Sequence, residues 1–223
     1  MNETVFELSD AICPVCGRLK IWQVCLYDES LKKQQFSLLP VNPRCRKCGA
    51  EVEIRQGGRG GRITVLNGTC GSGKSSAAEA FARRGCLVID GDCAIQTLRH
   101  RTGVKKYAWD ALIEEICREI GIVSVFGREI VLSHIIMPED LPRYLQCFRN
   151  LGLACRLILL KPAYDCAVER CRTRTCHTSV TPEEWIRYYY ERLVFDQFVH
   201  VIDNAGMSVE ETVQEIEELP FER

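Results

Sequence analysis

The clearest chemistry in the sequence lies in a glycine-rich stretch that begins at Gly68. It reads Gly-Thr-Cys-Gly-Ser-Gly-Lys-Ser and matches the pattern G-x-x-x-x-G-K-[ST] in full. Its glycines allow the backbone to curl with the N–H groups pointing inward, so that the loop can wrap around phosphate. Lys74 would reach the β- and γ-phosphates of a nucleotide, and Ser75 would ligate Mg²⁺. The residues expected to contact the nucleotide are Gly68, Thr69, Cys70, Gly71, Ser72, Gly73, Lys74, Ser75 and Ser76.

The residues around this loop predict the elements that must position it. The apolar run at residues 62–67 predicts a β-strand, and residues 74–84 predict a helix that ends at Gly85. A helix that begins at the loop directs the positive end of its dipole toward a bound phosphate. A glycine-rich turn capped by serine is the alternative, but strand, loop and helix in this order favour phosphate binding.

Two carboxylates, Asp90 and Asp92, follow the next apolar run at residues 86–90. The carboxyl ends of parallel strands form the ligand-binding edge of a sheet, where a carboxylate can orient a nucleophile toward a γ-phosphate. The alternative is that Asp92 only caps the N-terminus of a helix. We favour the functional interpretation.

Two Cys-x-x-Cys-Gly elements near the N-terminus indicate a second kind of chemistry. Two thiolates three positions apart, on a turn that glycine closes, can hold one metal ion, and two such turns complete a tetrahedral zinc site. Four thiolates fill the coordination shell, so we expect a structural site rather than a catalytic one. Reduced thiols or a disulfide are the alternatives. The expected zinc ligands are Cys13, Cys16, Cys45 and Cys48.

These elements divide the chain into two predicted domains. Residues 1–56 would form a zinc ribbon, and the glycine-rich residues 57–61 predict a flexible linker. Residues 62–223 would form the nucleotide-binding domain. The strands of the ribbon are expected within residues 19–27, 35–39 and 50–55.

The bulk composition excludes several classes of protein. The 223-residue chain has 46% hydrophobic and 26% charged residues, as globular rather than disordered proteins do. Its net charge of −1 argues against binding of polyanions by bulk electrostatics. The sequence has no apolar run of membrane-spanning length and its acidic N-terminus lacks a signal-peptide core, so we expect a cytoplasmic protein without membrane partners.

Apolar runs and helical stretches alternate through the second domain. The candidate strands are residues 63–67, 86–90, 129–137, 155–160 and 198–203. The candidate helices between and after them are residues 106–120, 139–151, 163–172, 182–192 and 208–218. This alternation predicts an α/β fold in which a five-stranded parallel sheet is covered by helices on both faces.

The sequence resembles the P-loop small-molecule kinases, which include gluconate, shikimate and adenylylsulfate kinases and antibiotic phosphotransferases such as those for chloramphenicol. The glycine-rich loop, the stretch Leu87-Val-Ile-Asp-Gly-Asp and residues 155–174 carry the resemblance. It implies the nucleoside- and shikimate-kinase-like P-loop fold, with ATP and Mg²⁺ as cofactors. It also implies that Asp90 would hold Mg²⁺ through water and that Asp92 would accept a proton from the acceptor hydroxyl.

The same resemblance predicts a mobile lid over residues 172–181. Arg170, Arg172 and Arg174 stand at alternate positions beside it, which would bring their guanidinium groups over the phosphates as the lid closes. A solvated helix end is the alternative for these arginines. The segment 94–120 occupies the acceptor-binding region of these kinases, and its basic and aromatic residues indicate an anionic or ring-bearing acceptor, or a solvated helix face. His134 would either touch the substrate or pack at a strand end.

The function that we expect is transfer of the γ-phosphate of ATP to a small-molecule acceptor. The third strand, at residues 130–134, lacks an acidic Walker B ending, which argues against a mechanochemical ATPase. One alternative is a kinase of nucleic-acid ends or another RNA-linked enzyme that grips nucleic acid with the ribbon. Another is a non-catalytic nucleotide-binding module whose ribbon binds a protein partner.

Overall fold

The computed structural model describes residues 11–18, 24–25, 44–45, 47–50, 53–54, 61–103, 106–124, 127–173, 181–195 and 199–222. The strands in these ranges are β1 (Ala11–Cys13), β2 (Gly17–Arg18), β3 (Val24–Cys25), β4 (Arg44–Cys45), β5 (Glu53–Ile54), β6 (Arg62–Asn67), β7 (Leu87–Asp90), β8 (Ile130–Ser133), β9 (Ala154–Leu160) and β10 (Val199–Ile202). The helices are α1 (Lys74–Arg83), α2 (Gly91–Thr102), α3 (Trp109–Ser124), α4 (Leu141–Asn150), α5 (Tyr164–Thr173), α6 (Glu183–Arg192) and α7 (Val209–Glu218). Within these ranges, no helix combines the length and apolarity needed to cross a bilayer.

Strands β6 to β10 form a five-stranded sheet in the order β10-β9-β6-β8-β7, and every neighbouring pair is parallel. β6 lies in the middle, and its residues from Ile63 to Asn67 are all buried. A near-continuous apolar run that is buried on both faces is typical of a parallel strand covered by helices. The predicted five-stranded parallel α/β sheet is confirmed.

Two apolar cores cover the two faces of this sheet. Ile63 and Val65 of β6 pack into one core with residues of α2, α3 and α4, whereas Leu66 packs into the other with residues of α1 and α7. Successive side chains of a strand point to opposite faces, so helices lie on both sides of the sheet. The loops that follow the strands meet at one edge, where ligands bind in sheets of this kind.

The predicted strand at residues 129–137 is shorter than expected and ends at Ser133. Beyond its end, the Asn67 side chain hydrogen-bonds to the backbone of Ile136. Its Nδ2 donates to the Ile136 carbonyl oxygen at 2.7 Å, and its Oδ1 accepts from the Ile136 N–H at 3.1 Å. The backbone of Ile136 therefore turns toward the end of β6 instead of extending β8, although Ile136 itself is buried.

The N-terminal part forms two small antiparallel sheets in its described residues. β1 pairs with β2 and with β5, and β3 pairs with β4. The strand expected within residues 50–55 is thus present as β5, whereas residues 35–39 and 57–60 lie outside the described ranges. The division into a ribbon, a linker and a second domain stays a prediction.

A buried arginine ties the end of α7 to the sheet. Arg156 of β9 is 2% exposed, and its Nη2 forms an ion pair with Glu129 at 2.9 Å. Its Nη1 donates to the carbonyl oxygens of Ile216 and Leu219 at 2.7 and 3.2 Å. Burial lowers the pKa of Arg156, but arginine stays protonated in proteins. The buried charge is therefore stabilised by these partners.

Replacing Arg156 with methionine is expected to lower the free energy of unfolding by about 3–5 kcal/mol, because Glu129 and two carbonyls lose their partner. Urea unfolding measures the change. Arg83→Met is the matched control, since Arg83 forms an exposed pair with Glu79, and a loss of at most about 0.5 kcal/mol is expected there. A loss below about 1 kcal/mol for Arg156→Met would contradict the structural role.

Candidate active site

The loop between β6 and α1 has the conformation that its glycines predict. Gly68, Gly71 and Gly73 have positive φ angles of 142°, 79° and 97°. A Cβ atom at Gly68 would lie 2.4 Å from the Leu160 carbonyl oxygen, and one at Gly71 would lie 2.1 Å from the Ala167 carbonyl oxygen. The curled backbone and its close packing against β9 and α5 therefore require glycine.

Helix α1 begins directly after this loop. Its N-cap is Gly73 in the left-handed conformation, and in the described part of the chain no side chain caps its first turn. The first N–H groups of a helix lack partners within the helix and carry the positive end of its dipole. Lys74, Ser75 and Ser76 stand in this turn and line one cleft. The start of α1 is therefore suited to binding phosphate.

Lys74 turns its ammonium group back toward the loop. Its Nζ donates hydrogen bonds to the carbonyl oxygens of Gly68 and Thr69 at 2.6 and 2.9 Å. Burial lowers the pKa of Lys74, although Cys70 and Asp92 oppose this effect. A cation in such surroundings is stabilised by a nearby anion, so the loop is electrostatically suited to a phosphate group.

Side chains from other elements hold the loop in place. Thr69 Oγ1 donates to the Ile186 carbonyl oxygen of α6 at 3.1 Å, and Asn204 Nδ2 donates to the Ser72 carbonyl oxygen at 3.0 Å. Arg170 Nη2 in turn donates to the Asn204 carbonyl oxygen at 2.8 Å. Because the side chains of Thr69 and Ser72 are buried, these two residues can reach a ligand only through their backbone. Sequence reasoning did not assign Asn204, whose signal in the sequence is a polar residue directly after the predicted strand at residues 198–203.

Asp90 and Asp92 stand at the start of α2. Oδ1 of Asp90 accepts hydrogen bonds from the N–H groups of Asp92 and Cys93 at 2.9 and 3.2 Å, so Asp90 is the N-cap. The interpretation of Asp92 as the cap was therefore wrong. Asp92 lies in the first turn of α2. Both carboxylates line the cleft, and their charges partly oppose the lowering of the Lys74 pKa by burial.

The loop, the start of α1 and the two carboxylates surround a cleft of about 660 Å³. The cleft lies at the carboxyl edge of the sheet. On the side of β9 and β10 it is lined by Arg170, Asn204, Met207, Val209 and Thr212. On the side of β8 and β7 it is lined by Asp90, Asp92, Ile95, Tyr107, Trp109, Ser133, His134 and Ile135. One side thus offers apolar groups and a guanidinium group, and the other offers carboxylates and aromatic rings.

Of the three arginines expected over the phosphates, Arg170 lines the cleft. Arg172 does not line it, because its side chain is 60% exposed and pairs with Glu183 at 3.1 Å. Arg174 lies outside the described residues, as does most of the predicted lid. The position of Arg172 agrees with a solvated helix end in this conformation.

His134, whose role the sequence left open, lies in the wall of the cleft. It is 7% exposed, and its ring stacks with Trp109 at a centroid distance of 6.0 Å and an angle of 25°. Burial and the charge of Lys74 lower the pKa of His134 to about 3, so the imidazole is neutral near pH 7. Trp109 is held by a hydrogen bond from its Nε1 to Asp140 Oδ2 at 2.5 Å.

The predicted zinc ligands lie in the small N-terminal strands and in the turns that follow them. The Sγ atoms of Cys16, Cys45 and Cys48 are within 4.8 Å of one another. The backbone of Cys13 pairs with Gly17 across the turn that carries Cys16, and its side chain is outside the described part. The structure therefore brings three of the four predicted sulfur donors together.

The chain matches no protein-family model, and no curated protein matches it in sequence. Solved structures do resemble it. A tunicamycin resistance protein from Deinococcus radiodurans is 19% identical, with a TM-score of 0.56 over 73% of this chain and 99% of that one. A gluconokinase from Sinorhizobium meliloti 1021 is 23% identical, with a TM-score of 0.52 over 73% and 91%. A sugar kinase from Janibacter sp. HTCC2649 is 15% identical, with a TM-score of 0.52 over 69% and 91%.

At such low identities the similarity shows the fold, and a shared fold does not by itself establish a shared activity. The five-stranded parallel sheet, the glycine loop after its central strand and the helix that follows agree with these neighbours. The chain therefore has the fold of the P-loop kinases.

Proposed function

We propose that this protein is an ATP-dependent phosphotransferase that moves the γ-phosphate to a hydroxyl group of a small molecule. The observation that carries the proposal is one cleft lined both by Lys74, beside the glycine loop that follows β6, and by Asp92, which follows β7. Phosphoryl transfer requires positioned phosphates and stabilised charge rather than covalent chemistry from the protein. The kinases that share this fold support the same class of reaction.

The triphosphate would lie against the glycine loop and the start of α1. The backbone N–H groups of the loop would contact the phosphates, and Lys74 would exchange its carbonyl partners for the β- and γ-phosphate oxygens. The base would lie on the side of β9 and β10, where the Arg170 guanidinium and the side chains of Met207 and Val209 line the cleft. A planar base suits apolar side chains and a guanidinium face.

Mg²⁺ would be held by the Ser75 hydroxyl and, through water, by Asp90. The residues fit this ion, because both offer the oxygen ligands that Mg²⁺ prefers and both line the cleft. The hydrogen bonds from the start of α2 fix the Asp90 carboxylate in place. When bound, the ion would neutralise charge on the β- and γ-phosphates.

Asp92 would act as the general base for the acceptor hydroxyl. It stands two positions after the metal-binding carboxylate in sequence, on the side of the cleft that would hold the acceptor. Arg170 is already in the cleft, whereas Arg172 would reach the phosphates only after its exposed pair with Glu183 opens. Opening such a pair costs at most about 1 kcal/mol. Arg174 and the lid over residues 172–181 would complete the charge stabilisation.

Acceptor-dependent ADP release tests this proposal. The chain is incubated with ATP, Mg²⁺ and a panel of sugars, nucleosides, hydroxylated acids and oligonucleotides with a free terminal hydroxyl, and products are identified by mass spectrometry. The expected result is a phosphorylated small molecule and ADP release that depends on it. Turnover of oligonucleotides alone would favour a kinase of nucleic-acid ends, and hydrolysis independent of every acceptor would contradict phosphoryl transfer.

The N-terminal cysteines would form a structural zinc site. Thiolates at 4.8 Å or less from one another suit a tetrahedral ion with Zn–S bonds of about 2.3 Å. Cys13 would supply the fourth thiolate, because it lies three positions before Cys16 on the same turn. A site of four thiolates leaves no position for a substrate, so the metal would stabilise the small sheets around it.

The purified chain is expected to carry about one zinc ion per molecule, measured by inductively coupled plasma mass spectrometry. Cys48→Ser is expected to remove most of this zinc, because a hydroxyl is a poor replacement for a thiolate ligand. Cys166→Ser is the control, since Cys166 lies outside the cluster in α5. Zinc near background in the parent chain, or unchanged in Cys48→Ser, would contradict the site.

A further inference from the structure

We infer that the phosphate acceptor is an uncharged, ring-bearing molecule with hydroxyl groups, and that His134 binds one of these hydroxyls. The inference rests on the proposed function and specifies its acceptor. It concerns the side of the cleft that is lined by residues at and beyond the carboxyl ends of β8 and β7.

The charges on this side disfavour an anionic acceptor. Among the described residues that line it, Asp90 and Asp92 carry negative charge, and the nearest lining cation is Lys74 at the phosphate-binding loop. The expectation of an anionic acceptor rested on the basic residues Arg99, Arg101, Lys105 and Lys106. Arg99 and Lys106 are exposed and are not part of the cleft lining, and the side chains of the other two lie outside the described part of the chain. Mg²⁺ held near Asp90 would be committed to the triphosphate, so the Asp92 carboxylate would still repel a carboxylate or phosphate group of an acceptor.

Aromatic side chains form the wall of this side. Trp109 is 36% exposed, stacks with His134 and is fixed by Asp140. Tyr107 lies beside it, and Tyr189 of α6 lines the same cleft. Aromatic faces provide large apolar contact with rings of a ligand, so a ring-bearing acceptor fits better than an extended chain.

His134 places a buried ring nitrogen in the cleft wall that forms no hydrogen bond with the described residues. Its Nε2 is buried and has no hydrogen-bond partner among these residues, which is rare for a buried polar atom. The imidazole ring packs closely against Gly91, because a Cβ atom at Gly91 would lie 2.0 Å from its Nδ1. Gly91 separates Asp90 from Asp92 in the sequence, so the ring lies beside the backbone that joins the two carboxylates. Because Nε2 is covered in this structure, an acceptor hydroxyl would reach it only if the imidazole or the stacked Trp109 moves. A neutral imidazole can hydrogen-bond a hydroxyl but cannot neutralise an anion.

Matched pairs of neutral and anionic compounds test the acceptor class. The pairs are phenyl glucoside with phenyl glucuronide, uridine with orotidine, and methyl shikimate with shikimate, each added to the chain with ATP and Mg²⁺. The expected result is that at least one neutral member is phosphorylated, at a kcat/KM at least about tenfold above that of its anionic partner. Preference for the anionic members, or no turnover of any neutral member while MgATP still binds, would overturn the inference. Loss of MgATP binding itself would instead overturn the proposed function.

Variants of His134 test its role with the neutral acceptor found above. His134→Phe is expected to raise the KM for the acceptor by about 10- to 100-fold, because a hydroxyl loses its buried partner. The Kd for MgATP should change less than about threefold, and His134→Gln should restore part of the acceptor KM, since its amide offers hydrogen bonds again. His200→Phe, at a half-buried position of β10 outside the cleft lining, is the control. An unchanged acceptor KM, or equal losses of acceptor and MgATP affinity in both His134 variants, would overturn the assignment.

Discussion

Replacing Lys74 with alanine is expected to lower kcat/KM for phosphoryl transfer by about 10²–10³-fold or more. The variant removes the cation that would stabilise charge on the transferred phosphate. Lys74→Arg is not expected to restore the activity, because the carbonyl oxygens of Gly68 and Thr69 surround a single Nζ at 2.6 and 2.9 Å. Steady-state measurement of acceptor-dependent ADP release gives the effect.

The free energy of unfolding of the Lys74→Ala variant shows whether a loss of activity comes from the missing ammonium charge or from unfolding of the protein. Burial lowers the pKa of Lys74, so the folded protein binds that proton less tightly than the unfolded chain and the charge opposes folding below the lowered pKa. At pH 7 the free energy of unfolding should therefore stay within about 1 kcal/mol of the parent value or rise. Arg83→Ala, at the exposed end of the same helix, is the control for activity. Activity of Lys74→Ala within about tenfold of the parent would contradict a role for the ammonium.

Replacing Asp92 with asparagine is expected to lower kcat by about 10²–10⁴-fold, because the amide keeps the shape of the carboxylate but cannot accept the proton of the acceptor. The Kd for MgATP should change little, since the metal and the phosphates would be held by other residues. Rapid-quench measurement of phosphoryl transfer, combined with titration of MgATP, separates these two effects.

Two further substitutions serve as controls for Asp92→Asn. Asp90→Asn should still cap α2, because asparagine is also a good N-cap, but it should raise the Mg²⁺ concentration that gives half-maximal activity. Asp165→Asn, in the exposed first turn of α5, should leave both kcat and the Kd for MgATP unchanged. If kcat of Asp92→Asn stays within about threefold of the parent value, Asp92 is not the base.

The conformation of the glycine-rich loop could be predicted because its requirements are local. Positive φ angles at Gly68, Gly71 and Gly73 follow from a pattern that is contiguous in sequence. Alternating apolar and helical segments likewise predicted the parallel sheet, because each segment carries its own periodicity. The two cysteine motifs predicted a cluster for the same reason, and three of their sulfurs lie together.

The contacts that complete the site could not be predicted, because they join residues far apart in sequence. Asn67 and Ile136 are 69 positions apart, and Asn204 and Ser72 are 132 positions apart. Hydrogen bonds of this kind depend on the order of strands in the sheet, which local patterns do not encode. The fit of His134 against Gly91 also depends on strand order, since it pairs the end of β8 with the start of α2.

The charge on the side of the cleft that would hold the acceptor depends on which side chains face the cleft, and the composition of the segment does not show this. The basic residues in segment 94–120 allowed an anionic acceptor, but the helical period of α2 decides which of them face inward. Leu98 is buried in the core and Ile95 lines the cleft, whereas Arg99 is exposed and lies 5.4 Å from the centre of the Tyr107 ring. The composition of the segment therefore left the acceptor class open, because it does not show which charged side chains face the cleft.

Calorimetric titration of a non-hydrolysable ATP analogue with Mg²⁺ measures whether the loop from Gly68 to Ser75 binds a nucleotide. The expected result is one site per chain with a Kd between about 1 μM and 1 mM, the range usual for enzyme substrates. Gly71→Val should abolish this binding, because its side chain would meet the Ala167 carbonyl oxygen and distort the loop. Absence of binding by the parent chain at millimolar analogue with Mg²⁺ present would contradict the proposal that this cleft transfers phosphate.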